Sequence, residues 1–408
     1  MREAPCFDRR QALGALAGSL FLSLGGGKVL IAADPRIRST REATRRRIIH
    51  WIFDGGLSQE VWDPKPGSPR EIRGELAPID TTIPGVQFSE VSPHLAQLAN
   101  RLTIIRTVKS SSEFHDRSTR DLLWLEGKRE NYLQTIGVET GPNDSVPLAY
   151  VESNFPGRGD GLSGTSNAVR SMNDPLHQND LQLDIEWDGK TFCVPDGAVD
   201  RERVRQRIDL LEVLQKDRLV EGPAVERAMR NWELAGRILT DGVVPSCSSI
   251  DRENEVYGTH QLGQAALIAK QLVLSGVPCV DVRTGHWDFH ENITPLLRQH
   301  FPDADQALAG LVKACEAGEL PDTIIGASTE FGRSPTLNNE GGRHHWISAH
   351  TELFYGGIFE GGKLIGATDD TWLPTTDSVP IEHVKLLAMH AAGVELLLSD
   401  KQKIAQYL

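Results

Sequence analysis

The 408-residue chain is 39% hydrophobic and 24% charged, the balance of a soluble globular protein long enough for one large α/β domain or two smaller ones. Its formal net charge of −13 excludes a general nucleic-acid binder, which needs a basic surface. It leaves room for a local arginine cluster that binds an anion.

In chain order, the first feature is a targeting segment. Arg9-Arg10 precede an apolar run from Ala12 to Leu24, then Gly25-Gly26-Gly27 and the small pair Ala32-Ala33. A twin arginine before a short, glycine-containing apolar stretch reads as a bacterial Tat export signal over residues 1–33. The run is too short to span a bilayer comfortably. Leu30 and Ile31 make a poor cleavage site, so an uncleaved signal is the one membrane link expected. The mature protein then begins near Asp34, in the periplasm or outside the cell, after passage through the Tat machinery. Residues 34–47 read as a linker and 48–408 as a single domain. Cys6 leaves with the signal, and Cys193, Cys247, Cys279 and Cys315 form no CxxC pair, which argues against a zinc knuckle or a thioredoxin-like motif.

Ile48–Phe53 is an apolar strand, broken only by His50, that ends in Asp54 and is followed by the turn Gly55-Gly56. Ser92 and Pro93 open a short helix from Val91 to Asn100. Leu102–Val108 is a second strand, and Ser110–Glu126 is a loop feeding a helix. Residues 138–200 carry many Gly, Pro, Asn, Asp and Ser residues with little periodicity, as expected of long loops walling a site. Residues 201–240 read as two helices split at Pro223, so a loop-rich and helical insertion covers about 138–240. A helix over Tyr257–Ser275 leads through Gly276-Val277-Pro278 to a strand at Cys279–Val282, in which Cys279 is core. A helix at 305–318 leads to a strand at Thr323–Ser328. Leu353–Gly357 and Lys363–Gly366 suggest a hairpin, and a helix over 381–396 closes the chain. This alternation predicts an α/β fold: a mostly parallel sheet with helices on both faces.

Three of these strands run into carboxylates, at Asp54, Asp288 and Glu330. In an open parallel sheet the strand C-termini share one edge, where ligands bind. His286, Asp288 and His290 alternate, so in extended chain they share a face and can point at one ion. Gly342-Arg343-His344-His345-Trp346 adds two imidazoles. Adjacent histidines point to different sides, so at most one of them is a ligand. Carboxylates converging with imidazoles are the ligand set of a hydrolytic metal site. Arg333, and Arg343 further on, have the planar donors to clamp a phosphate or sulfate. Near the start of the helix after Ser110, Ser118 or Thr119 is a candidate nucleophile and His115 a ligand or acid/base, with Ser58 a rival nucleophile. There is no GxSxG elbow, P-loop or Rossmann fingerprint.

Five ordered motifs also carry a resemblance. They are Asp54-Gly55-Gly56-Leu57-Ser58-Gln59 with Trp62-Asp63-Pro64-Lys65-Pro66; Gly285-His286-Trp287-Asp288-Phe289-His290; Thr329-Glu330-Phe331-Gly332-Arg333-Ser334-Pro335; Gly342-Arg343-His344-His345-Trp346; and Gly361-Gly362-Lys363-Leu364-Ile365-Gly366-Ala367-Thr368-Asp369. From about Arg47 to the C-terminus the chain resembles the exported bacterial family called domain of unknown function 1501. That family is itself similar in fold to the alkaline phosphatases and sulfatases. The resemblance implies an alkaline-phosphatase-like three-layer sandwich. It implies a metal site of Asp54, Asp288, His290, Glu330 and His345 for a divalent ion: zinc, calcium or magnesium. Asp54 and His344 depart from the family's more usual His and Asp at those places, and nothing matches a sulfatase's modified Cys. The expected function is metal-dependent hydrolysis of a phosphate or sulfate ester, of a small molecule or a polysaccharide. The alternatives are a degenerate binding protein for sulfated glycans or for another exported enzyme, and a mutase or isomerase of the same superfamily.

Overall fold

The computed structural model describes residues 45–126, 131–141, 148–154, 167–172, 181–187, 192–193, 206, 213, 254–285 and 287–408. The export segment, most of the linker, His286 and all but two residues of the expected 201–240 helical pair lie outside them.

The central sheet has 11 strands among the described residues. They are β1 (Arg47–Phe53), β2 (Thr103–Lys109), β3 (Leu148–Asn154), β4 (Asn167–Met172), β5 (Leu181–Trp187), β6 (Phe192–Cys193), β7 (Cys279–Gly285), β8 (Thr323–Thr329), β9 (His350–Tyr355), β10 (Leu364–Ile365) and β11 (Val379–Pro380). Their order is β10-β2-β9-β8-β1-β7-β3-β4-β5-β6, with β11 also on β2. β8, β1, β7 and β3 are mutually parallel, while β9 runs against them between β8 and β2. This is the mostly parallel α/β sheet expected.

β1 shows why the sheet needs helices on both faces. Every one of its residues after Arg47 is buried, as a central parallel strand requires. Ile49, Trp51 and Phe53 join the core under helices α3 (Gln261–Leu274) and α4 (Ile293–Glu316). Ile48 and Ile52 join the core under α2 (Tyr132–Thr140) and α5 (Ile381–Ala392). The result is three layers, with α1 (His115–Leu123) on the second face.

Three expectations are corrected. The 138–200 stretch is not only loop, because it carries β3 to β6. β4 is of mixed polarity, β5 alternates and β6 is only two residues long, so none of the three shows the apolar run that marks a buried strand. The helix expected at 305–318 begins at Ile293 and contains Pro302. Its apolar stripe of Ile293, Leu297, Phe301, Ala304, Leu308 and Leu311 is buried, and Phe301 packs 5.7 Å from Phe53, Trp62 and Trp287. That burial outweighs the roughly 3 kcal/mol cost of a proline inside a helix. The segments read as a hairpin do not pair with each other, since β2 lies between β9 and β10. Ser92 precedes the Pro93–Leu98 helix but does not cap it with its side chain. The buried Asp305 of α4 does, accepting from the His94 and Leu95 amides at 2.7 and 3.0 Å and from Ser92 Oγ at 2.7 Å.

Below the strand ends lies a buried polar chain. Ser328 Oγ is 2.9 Å from His50 Nε2 and donates to Glu352 Oε2 at 2.7 Å, and Glu352 Oε1 is 3.0 Å from His350 Nε2. Burial, helped by Arg283, pushes the His50 imidazole down to about 3. The folded protein therefore keeps His50 neutral, while an unfolded chain protonates it near pH 6.5. Between those values the unfolded state binds the extra proton, so stability falls as pH falls through this window. We expect a loss on the order of 2 kcal/mol between pH 7 and 5 from this group. Denaturant unfolding of His50→Gln should show a correspondingly flatter pH dependence; an identical slope would refute it.

Candidate metal centre

β1, β2, β7 and β8 all deliver their C-terminal ends to one edge of the sheet. β7 runs into Trp287–His290, β8 into Glu330, and β2 into the loop that starts α1 at His115. His345 comes from a two-residue strand, His345–Trp346, paired with Gly332–Arg333. The edge thus collects groups up to 278 residues apart, as between Gly55 and Arg333.

His115, Asp288 and His345 each offer a ligand atom within 4.8 Å of the other two. His115 Nε2 lies 3.5 Å from Asp288 Oδ2, and His345 Nε2 lies 3.1 Å from Oδ1. His290 joins on the same side, its Nε2 2.9 Å from Asp288 Oδ1 and 3.1 Å from His345 Nε2. Three imidazole Nε2 atoms therefore surround one carboxylate.

The outward nitrogens are fixed by acceptors. His115 Nδ1 is 2.5 Å from Glu330 Oε1, and His345 Nδ1 is 2.6 Å from the Glu113 carbonyl. Neither oxygen can donate, so both Nδ1 atoms carry hydrogen and both Nε2 atoms face the centre as the positions a metal can take. A ring N–H donated to a carboxylate or a carbonyl is the outer-shell pattern of metal-bound histidines. The residues present fit a divalent cation.

The charges of the cluster act on one another. Bonds to Asp288, then to Glu330, raise the His115 imidazole to about 9. Burial opposes ionisation of Asp288, but His115, His345 and Arg333 together hold its carboxyl well below the usual range. Burial pushes His290 down.

The predicted site residues divide into those at the centre and those behind it. Asp288, His290 and His345 are at the centre. Glu330 is 2% exposed and backs His115 rather than standing among the converging ligand atoms. Its Oε1 also accepts from the Gly55 amide at 3.2 Å, and its Oε2 accepts from Thr119 Oγ1. Thr119 and His115 are four apart on α1, so both reach the same carboxylate. Asp54 is placed by its backbone: its amide donates to the Thr284 carbonyl at 2.9 Å and its carbonyl accepts from Trp287 at 3.1 Å. Among the described residues its carboxylate is not one of the converging atoms. Ser118 is fully buried and its Oγ donates to the Ser112 carbonyl, so in this structure it fastens a loop. Ser58 Oγ donates to Glu60 Oε1 at 3.1 Å. His344 is exposed, its ring 5.8 Å from that of His290.

The structure places the two expected anion clamps in the interior. Arg333 and Arg343 are both 0% exposed. Arg333 donates to Asp288 Oδ1 at 2.5 Å, to the Gly56 carbonyl at 2.8 Å, to the Arg343 carbonyl at 3.2 Å and to the Gly55 carbonyl. Arg343 donates to Glu60 Oε2 at 3.0 Å and to the Ile72 and Ser334 carbonyls at 2.6 and 3.1 Å, under Trp372. With their donors taken by protein oxygens, neither guanidinium is presented to a substrate.

Two glycines make the close packing possible. Gly55 has φ +107°, and a Cβ there would lie 2.7 Å from the Asp288 amide nitrogen. A Cβ on Gly342 would lie 2.0 Å from the His290 carbonyl. Asn338 stitches the same contact, its Nδ2 donating to the His290 carbonyl at 2.7 Å. Sequence reasoning left His115 open between ligand and acid/base. It missed the Glu113 carbonyl altogether, because no residue type marks a backbone acceptor.

No curated protein matches the chain. Several solved structures do. A protein solved with its substrate D-glucosamine-2-N,6-O-disulfate is 11% identical with a TM-score of 0.37, covering 88% of this chain and 78% of that one. A 2-O GAG sulfatase is 12% identical at 0.35, covering 88% and 74%. A mutant of TAB5 alkaline phosphatase with Mg bound is 10% identical at 0.35, covering 85% and 99%. At such scores these likenesses carry no argument about the site. The family model described as "Protein of unknown function (DUF1501)" matches residues 169–407. That span is more than half of the chain and holds the last four of the five motifs; the chain belongs to this family.

Proposed function

We propose that the chain is an exported, metal-dependent hydrolase of phosphate or sulfate esters, with polysaccharide esters among its substrates. The observation that carries this reading is the ring of three Nε2 atoms around Asp288, with the Nδ1 atoms of His115 and His345 fixed from outside. A set rich in imidazole suits zinc better than calcium or magnesium, which favour oxygen ligands. His115, Asp288 and His345 would hold the ion, with His290 beside them. Bound there, it would polarise the ester and bring a water toward ionisation at neutral pH. The protein's own part is positioning: Glu330 orients His115, the Glu113 carbonyl orients His345, and Arg333 anchors Asp288.

One observation favours a second reading. Ser118 and Ser58 both spend their hydroxyls on protein oxygens, and Thr119 meets the site only through Glu330. A centre without a free hydroxyl either hydrolyses through water or only binds oxyanions. Protein purified without chelator should contain about one zinc per chain. It should hydrolyse an aryl phosphate or sulfate, lose that activity to a chelator, and regain it with zinc rather than magnesium. Zinc and phosphonate binding without turnover would support the binder; no affinity for zinc would sink both. Cell fractionation tests export, and retention in the cytoplasm would count against it.

A further inference from the structure

The motif that supplies Glu330 and Arg333 also supplies Phe331, a residue with no part in the chemistry above. Phe331 is 0% exposed, yet it belongs to neither hydrophobic core of the sheet. Among the described residues its ring meets two other rings, the imidazoles of His345 and His115. It stacks on His345 with 4.4 Å between centroids and 29° between planes. It lies tilted against His115 at 5.2 Å and 47°. The Arg333 guanidinium stands 5.8 Å from its centroid.

The backbone on either side holds that ring in place. The Glu330 carbonyl accepts from Ser110 Oγ at 2.5 Å. Arg333 exchanges bonds with Gln59, its amide donating to Oε1 at 2.8 Å and its carbonyl accepting from Nε2 at 2.6 Å. The ring edge presses on Gly56, which has φ +85°, and a Cβ there would lie 2.5 Å from Phe331 Cε2. Glycine permits both that φ and that approach.

Burial alone gives no reason for a flat ring here, since an aliphatic side chain buries as well. The metal centre does. A cation binds an imidazole along the Nε2 lone pair, in the plane of the ring. The bonds from Nδ1 of His115 to Glu330 and of His345 to the Glu113 carbonyl fix one point of each ring and leave its plane free to roll. A flat neighbour against the ring removes that roll. The two imidazole planes stand 76° apart, with 4.6 Å between centroids, and Phe331 is in contact with both.

We infer that Phe331 is a positioning residue that sets the ring planes of His115 and His345, and with them the directions from which the cation is bound. This rests on the metal-centre reading above and deepens it. An outer-shell group of this kind typically contributes about tenfold or more to metal affinity.

The test replaces zinc by cobalt(II), whose visible absorption is strong in a four-coordinate site, the geometry expected for zinc, and weak in a six-coordinate one. The wild-type protein loaded with cobalt should show the strong band. Phe331→Leu keeps an apolar side chain without a flat face. It should lose most of that band and bind zinc about tenfold more weakly in competition with a chelator. Phe331→Tyr keeps the face and should retain both. In the zinc-loaded wild-type protein, NMR should find the His345 ring protons shifted upfield by the ring current of Phe331, a readout that needs no variant to fold. A wild-type band and zinc affinity in Phe331→Leu, even with a lowered unfolding midpoint, make Phe331 a packing residue and overturn the inference while the metal reading stands. The absence of the upfield shift in zinc-loaded protein does the same. A wild-type protein that binds neither zinc nor cobalt takes down the metal reading and this inference together.

Discussion

Asp288→Asn should all but abolish zinc binding and also destabilise the fold. Asp288 is the one carboxylate that all three imidazoles approach, and it is the charge partner of the buried Arg333. The amide keeps the shape but loses the anionic ligand and can offer only one oxygen. Removing one member of a buried pair leaves the other charge uncompensated, at about 3–5 kcal/mol. Asp288 is itself a third exposed, so we expect the lower end of that range. Glu330→Gln is the informative comparison. Glu330 touches the centre only through His115, and loss of an outer-shell partner costs about 10–100-fold in metal affinity. Zinc competition against a chelator should therefore rank the variants wild type, Glu330→Gln, Asp288→Asn, with unmeasurable binding in the last. If Glu330→Gln loses zinc as completely as Asp288→Asn, Glu330 is a ligand and the outer-shell assignment is wrong.

The strands that build the site were legible where burial on both faces forces a largely apolar run, as in Ile48–Phe53 and Thr323–Ser328. Their terminal acids could then be placed on one edge by topology alone. The strand Asn167–Met172 was not legible, because an antiparallel strand of mixed polarity looks like loop. Which atom does what at the edge was not legible either. A strand-end carboxylate reads equally as a ligand or as a ligand's support, and only the position of His115 makes Glu330 the latter. The surroundings of the arginines were not legible for a related reason. Arginine is rarely fully buried, so sequence alone favours an exposed anion clamp. Here four backbone carbonyls and a carboxylate converge on Arg333, a convergence that appears only once distant loops have packed.

That convergence makes Arg333→Met the sharper test of how the site is held. A clamp at the substrate would be lost with little harm to the fold, weakening phosphonate binding alone. The geometry predicts the reverse. Without the guanidinium, the carbonyls of Gly55, Gly56, Trp287 and Arg343 lose donors at a buried or half-buried position, and Asp288 loses its fixed cation. The cost should reach about 3–5 kcal/mol, with zinc affinity falling alongside because Asp288 is no longer held. Arg333→Lys should recover only part of this, since an ammonium can answer Asp288 but cannot reproduce the fork onto the carbonyls. Arg343 offers the control. Its partner Glu60 is equally buried, at 0% and 1% side-chain exposure, yet the pair lies behind the centre. Arg343→Met alone should destabilise by a similar amount, whereas a joint Glu60→Leu and Arg343→Met change removes both charges and should regain much of the loss. Denaturant unfolding and zinc titration on the four variants decide between the accounts. An Arg333→Met protein with a wild-type midpoint and intact zinc affinity, but weakened phosphonate binding, would return Arg333 to the substrate.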